Sequence, residues 1–352
     1  MKATTPASRS SVDTADSRTA TASALRRKSG LAVMAVAVAA SLTLPAQAEQ
    51  SADWPSKPIR LIVTGPAGGT ADTLARLLAE GMQQELKQPV IVESKAGASG
   101  AIGIQDLKSH GKSGYTFLVI QDGALSEAPL AQKVSFDPFK DLTPLAQLTR
   151  TGLVMVANKD LPFQTLPEFI SYARQQRDGV DFASYATGLK GHTSGMLLGQ
   201  LAKINMRHVG YKGSPPALVD LMGGHVPVMF DGVTTSLPLI RSGKIKALAA
   251  VYPSRLQALP DVPTFTELGY PQLSKPGWFA LWSHPQTPAV IQQKLRDVAL
   301  THFRKESVLK QLAALGMEPG QPLTTAEMTA ELKEANRKQA ALLKSIGYKP
   351  EN

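Results

Sequence analysis

Ile59-Arg60-Leu61-Ile62-Val63-Thr64-Gly65-Pro66-Ala67-Gly68-Gly69-Thr70-Ala71-Asp72 is the stretch that decides the fold. Its first five residues read as a buried strand. Leu74, Leu77, Leu78, Met82 and Leu86 then recur at helical spacing, so a strand feeds a helix through a glycine-bearing turn. Val90-Ile91-Val92 and Tyr115 to Ile120 are further strands, separated by a Gly/Ala/Ser-rich turn and a short helix. Repetition of strand, helix and strand predicts a parallel sheet covered by helices, the α/β class.

A second series begins at Leu153 to Ala157. Thr165-x-x-Glu168 is a capping box that opens a helix, followed by a strand at Val180 to Tyr185 and a helix at Met196 to Leu201. Ser214-Pro215, with Ser as N-cap and Pro at the first helical position, starts another helix that stops at Gly223-Gly224. Val226 to Phe230 and Ile245 to Val251 add two strands. The Pro-rich stretch Pro253 to Pro276 reads as a connection, and Trp278 to Trp282 as a last strand. The C-terminal part is helical, at Pro288 to Phe303, Glu306 to Leu315, and Thr325 to Ile346 opened by Thr324-x-x-Glu327.

The chain has 352 residues, enough for two domains with sizeable cores. It has no cysteine, which removes thiol nucleophiles, thiolate zinc sites and iron–sulfur ligation. Arg26-Arg27-Lys28, the charge-free stretch Leu31 to Leu44 and Ala46-Gln47-Ala48 describe a secretory signal peptide cut near Ala48, with periplasmic localisation expected. The apolar run is too short for a membrane span, and the Arg pair leaves twin-arginine export open. The formal net charge of +10 falls to +6 without the leader's Lys2, Arg9, Arg18, Arg26, Arg27, Lys28, Asp13 and Asp16. No later segment interleaves Lys/Arg with aromatics, so no nucleic-acid partner is expected.

Open α/β sheets bind ligands beyond the carboxyl ends of their strands, which makes the strand-to-helix turns the informative places. In the first, Gly65, Pro66, Gly68 and Gly69 allow close backbone approach, and Thr70 can cap the helix that follows. The free N–H groups there suit a carboxylate or phosphate. Neither a P-loop nor a dinucleotide fingerprint fits, and a purely structural turn is the alternative. Asp72 favours the helix dipole but repels an anion, so it orients the loop or meets a ligand's amino or hydroxyl group. The second turn, Tyr185-Ala186-Thr187-Gly188-Leu189-Lys190-Gly191-His192-Thr193, has the same form. His192 reads as a loop fastener or ligand donor, since no carboxylate stands at metal-ligand spacing; no metal or other cofactor is expected. Tyr211 and Lys212 precede a third helix start, with Lys212 a solvated charge or a counter-ion to the ligand or to Asp231. Asp231, at the end of a strand, lines a cleft or ends a turn. No nucleophile elbow is present, because Gly97-Ala98-Ser99-Gly100 and Gly191-His192-Thr193-Ser194-Gly195 have the wrong spacing. Trp278, Phe279 and Trp282 read as packing.

These residues also carry a resemblance. Trp54-Pro55-Ser56-Lys57-Pro58-Ile59-Arg60-Leu61-Ile62-Val63, Pro66-Ala67-Gly68-Gly69 with Asp72 and Ala75-Arg76, Gln88-Pro89-Val90-Ile91-Val92-Glu93, Gly114-Tyr115-Thr116, and Phe182-Ala183-Ser184 with His192 open it. Tyr211-Lys212-Gly213-Ser214, Asp220-Leu221-Met222-Gly223-Gly224, Met229-Phe230-Asp231 and Leu259-Pro260-Asp261-Val262-Pro263-Thr264 continue it. In order and spacing the chain resembles the Bug family, extracytoplasmic solute receptors of tripartite tricarboxylate transporters.

The resemblance implies a two-lobed type II periplasmic-binding-protein fold with a ligand cleft between two α/β domains. Residues 49–152 with 276–352 would form the first lobe and 153–275 the second. It implies a monomeric, non-enzymatic receptor that closes on a small carboxylate and serves membrane permease subunits. Ligand contacts would come from Gly65, Pro66, Gly68, Gly69 and Asp72 in one lobe, and from Thr187, Gly188, His192, Tyr211 and Asp231 in the other. The chain departs from the family at Thr64-Gly65, where Pro-Phe is usual, at Ile120-Gln121-Asp122-Gly123, at Ala128, at Gly210 and at Pro227. Gln121 and Asp122 are expected to shift specificity, Asp122 accepting an ammonium or hydroxyl and disfavouring a second carboxylate. Two rival readings are a receptor that signals to a membrane sensor and an exported hydrolase or isomerase that uses His192 with Asp231.

Overall fold

The computed structural model describes residues 54–348 and 350. The expected signal peptide at 1–48 lies outside the described residues. No helix among the described residues is long and apolar enough to cross a membrane.

In chain order, β1 (Ile59–Val63), α1 (Thr70–Leu86), β2 (Val90–Ser94), α2 (Ala101–His110), β3 (Thr116–Gln121), α3 (Gly123–Ser126), α4 (Ala128–Ala131) and β4 (Thr143–Thr151) come first. The middle of the chain supplies β5 (Leu153–Asn158), α5 (Leu166–Gln175), β6 (Val180–Ser184), α6 (Lys190–Ala202), β7 (Met206–Gly210), α7 (Ser214–Met222), β8 (Val228–Gly232), α8 (Val233–Arg241) and β9 (Ile245–Val251). It ends with β10 (Gly277–Ser283), α9 (Ala289–His302), α10 (Glu306–Ala314), β11 (Glu318–Pro319) and α11 (Thr325–Ser345).

The strands form two sheets, ordered β11-β4-β10-β3-β1-β2 and β7-β6-β8-β5-β9. β1 pairs in parallel with β2 and β3, and β6 with β7 and β8, as strand–helix–strand repetition demands. Both sheets are nevertheless mixed. β10 runs antiparallel to β3 and β4, and β5 antiparallel to β8 and β9. The antiparallel strands include those that carry the chain between sheets, β4 leading through Gly152 into β5.

Side-chain alternation gives each sheet two buried faces. Leu61, Val63, Phe117 and Val119 join α1 and α9 in one core, whereas Ile62, Leu118, Ile120, Trp278 and Trp282 face Ile104 and Leu107 of α2 in another. Met155, Phe182 and Phe230 pack against α5 and α6, while Val156, Ala183 and Met229 pack against α7 and α8. Trp278 and Trp282 stack with centroids 5.8 Å apart, so the aromatic patch is packing. Both expected capping boxes form: Thr165 accepts from the Glu168 N–H ahead of α5, and Thr324 from the Glu327 N–H ahead of α11. α11 ties the halves together. Its Leu332 lies in the first sheet's core, and Leu342, with Ile346 just past the helix end, packs on the second. The described residues from Trp54 onward make one compact unit.

A cavity lined by uncapped helix starts

A cavity of about 340 Å³ lies beyond the carboxyl ends of β1 and β3 on one side and of β6, β7 and β8 on the other. Four helices begin at its edge or wall: α1 after Gly69, α6 after Leu189, α7 after Gly213 and α8 after Gly232, none with a side-chain cap, so neither Thr70 nor Ser214 is the N-cap that the sequence suggests. The capping boxes on α5 and α11 sit elsewhere. First-turn N–H groups lack acceptors within their own helix, so α1 presents donors and partial positive charge to the cavity, whereas at the start of α6 the Lys190 N–H meets the Glu127 carboxyl and the Gly191 N–H the Tyr185 hydroxyl. α7 presents less, because Pro215 and Pro216 follow Ser214 and carry no N–H.

Thr64, Gly65, Pro66, Gly69, Thr70, Gln121, Asp122, Thr187 and Tyr211 all line this cavity, as does Lys212. Gly68, Asp72, Gly188, His192 and Asp231 stand behind the lining and hold it in shape. Asp72 accepts from the Gly68 N–H at 3.0 Å and from Arg76 Nε at 3.0 Å, which fixes the first loop with Gly68 at φ +75°. His192 Nδ1 accepts from the Gly188 N–H at 3.0 Å and fastens the second loop. Its ring stacks on His208 with centroids 3.7 Å apart. Burial pushes His192 down to about 4 and, with His192 beside it, His208 down to about 3, so both rings are neutral near pH 7. His208 Nε2 lies 2.7 Å from Ser184 Oγ, which donates to the Ala186 carbonyl, so the pair braces the loop from below. Asp231 is 0% exposed and accepts from the hydroxyls of Ser214, Thr235 and Ser236, which knots the start of α7 to the first turn of α8.

The two halves already touch around the cavity. A Cβ on Gly213 would stand 2.4 Å from Pro66 Cδ, and one on Gly188 2.5 Å from Ala131 Cβ. Ser99 Oγ donates to the Thr187 carbonyl at 2.9 Å. Ser99 is a site residue that sequence reasoning missed. It sits in a run of four positive-φ residues, Gly97 at +125°, Ala98 at +46°, Ser99 at +49° and Gly100 at +102°, and only the glycines signal it in the sequence.

Glu127 and Lys190 were missed as well. Lys190 Nζ lies 3.9 Å from Asp122 Oδ2 and 3.9 Å from Glu127 Oε1, and donates to the Pro276 carbonyl at 2.8 Å. Burial pushes the Glu127 carboxyl up to about 7 against the pull of Lys190. A carboxyl raised on folding stabilises the protein below its unfolded value, and that stability is lost as pH rises through about 7. Glu127→Gln removes this loss. Relative to wild type, the variant is therefore expected to gain about 2 kcal/mol between pH 5 and pH 8. His192 and His208 shift the other way and act equally in both proteins, so urea unfolding of the pair at the two pH values isolates Glu127. A constant difference would show that Glu127 is ionised throughout.

Among the described residues, no group of three or more His, Asp or Glu side chains is placed to hold a metal ion. Residues 74–348 match the model of the tripartite tricarboxylate transporter family receptor. The chain belongs to that family. This receptor is 36% identical over 298 residues to BugT of Bordetella pertussis, covering 82% of its own chain and 89% of BugT. In structure it is similar to an R. palustris protein solved with adipate, Rpa4515, with a TM-score of 0.82 and 29% identity over 85% of this chain and all of that one. It is also similar to MatC from Rhodopseudomonas palustris, solved with bound malate, with a TM-score of 0.77 and 29% identity over 82% of this chain and all of MatC. The two-lobed α/β fold of the receptor is thus that of periplasmic binding proteins. The family match begins at Leu74, inside α1, so the loop from Thr64 to Asp72 precedes the matched stretch.

Proposed function

We propose that this chain is a periplasmic receptor that captures a small carboxylate between two lobes, 49–152 with 276–352 and 153–275, and delivers it to the permease of a tripartite tricarboxylate transporter. A signal peptide cut near Ala48 directs its export, and the receptor acts as a monomer. The observation that carries the reading is that helix starts from both sheets border one cavity, where their partial positive charge and the open N–H groups of α1 favour an anion. Relatives solved with adipate and malate support the same ligand class.

In this reading Gly65, Pro66, Gly69 and Thr70 bring backbone to the ligand from one lobe, and Thr187, Tyr211 and the start of α6 from the other. Asp72, His192 and Asp231 act as fasteners behind them. The ligand draws the lobes together because only the closed form lets both sets of donors reach it. No bond is broken. A thermal-shift screen of mono-, di- and tricarboxylates and amino acids tests capture. At a hundredfold excess over its dissociation constant, one of them should add about 2.7 kcal/mol of stability. Absence of any shift across the panel would remove the carboxylate reading.

A further inference from the structure

Contacts across the cavity sort it into two ends. At one, Pro66 meets Gly213, a Cβ on Gly232 would lie 3.3 Å from Thr70 Oγ1, and the starts of α1 and α7 flank Lys212 on the lining. At the other, Asp122 and Glu127 face Lys190. The first end is electropositive. The second sets two carboxylates against one ammonium and the start of α6.

The acidic end is also incompletely bonded. Asp122 is 5% exposed and its Oδ1 accepts the Trp278 N–H at 3.1 Å. Its other oxygen and Glu127 Oε1 each stand 3.9 Å from Lys190 Nζ, beyond hydrogen-bond length, and that ammonium donates instead to the Pro276 carbonyl. Glu127 is 4% exposed, and its Oε2 has no hydrogen-bond partner among the described residues. Glu127 Oε2 lies 2.9 Å from where a Cβ on Gly123 would stand, so it packs against that glycine, and Asp122 Oδ2 is the acceptor of the pair that no hydrogen bond covers on the cavity wall. Lys275 stands behind this wall, on an adjoining cavity of about 200 Å³ that shares Asp122, Glu127 and Lys190, and does not line the ligand cavity.

We infer that the ligand is an amino-carboxylate zwitterion, its carboxylate held by the start of α1 and the loop before α7, beside Pro66 and Gly213, and its ammonium by the acidic end at Asp122 and Glu127. This rests on the proposed reading of the cavity as a carboxylate site and narrows it. A dicarboxylate would set its second charge against the two acidic side chains, whereas an ammonium supplies the donors they lack. A buried acceptor without a donor is costly, so recovering it favours the amino compound by at least tenfold, about 1.4 kcal/mol.

The test is calorimetry at pH 8 on matched pairs that differ only in ammonium for carboxylate: alanine and methylmalonate, β-alanine and succinate, 4-aminobutanoate and glutarate, 5-aminopentanoate and adipate. The tightest binder should be an amino acid, at least tenfold tighter than its partner. D122N/E127Q should erase or reverse that ranking. A dicarboxylate that outranks its amino counterpart in the wild-type protein overturns the inference and leaves the carboxylate receptor standing. A ranking that survives in folded D122N/E127Q also overturns it. If no member of either series binds, both readings fall together. The wild-type ranking decides the matter even where the double variant does not fold.

Discussion

Gly213→Val is expected to lower ligand affinity at least a hundredfold while the protein remains folded. Gly213 sits at φ +116°, and its Cα faces the Pro66 ring so closely that a Cβ would lie 2.4 Å from Cδ and 2.5 Å from Cγ. Pro66 is a rigid ring on the first loop and Gly213 the residue before α7, so the added side chain props the cleft open at its electropositive end. The left-handed backbone adds a local cost of order 1–3 kcal/mol, below what unfolds a domain of this size. Ligands that need donors from both halves then lose one set. Calorimetry with whichever carboxylate binds wild type, alongside circular dichroism, checks this; affinity within threefold of wild type would mean that closure at Pro66 does not matter.

Asp231→Ala is expected to cost about 3 kcal/mol of stability, read as a lower urea midpoint at unchanged slope. Its carboxylate is the shared acceptor of the Ser214, Thr235 and Ser236 hydroxyls, in full burial. Burial pushes its pKa up, and the three hydroxyls hold it down. Alanine leaves all three donors without that acceptor and frees the start of α7 from α8. The sequence points to Asp231 as a cleft residue; the structure puts it one layer deeper, where its loss is felt first in stability and only then in binding. A change under 1 kcal/mol would mean that water replaces the carboxylate fully.

The alternation of strand and helix was legible because apolar residues change period at Val63, and the capping boxes because their chemistry is local to four residues. β4 was not legible. Its sequence, Thr143-Pro144-Leu145-Ala146-Gln147-Leu148-Thr149-Arg150-Thr151, reads as polar, yet Gln147 and Thr149 are buried. Tertiary partners settle that conflict: Thr149 Oγ1 donates to the Glu318 carbonyl at 2.5 Å, and Gln147 Oε1 accepts the Gln321 N–H at 2.9 Å. Neither contact is visible within any window of sequence.

The same limit governs the site. Glycine-bearing turns before helices announce where backbone meets ligand, so Gly65, Pro66, Gly69, Thr70 and Thr187 were found on the cavity. Depth was not legible, since whether His192 faces the cavity or fastens Gly188 depends on the His208 ring beneath it. Glu127 and Lys190 carry no local signal in the sequence, and only the approach of the two halves brings Lys190 to Glu127 and Asp122. Ser99 depends on two non-glycine residues held at positive φ, which no local preference favours.

A crystal structure of the protein with a captured carboxylate tests the central claim most directly. The expected result is one carboxylate accepting from backbone N–H groups at the start of α1 and also meeting the loops that precede α6 or α7. A ligand that touches loops of one sheet only, or that sits outside this cavity, would contradict it.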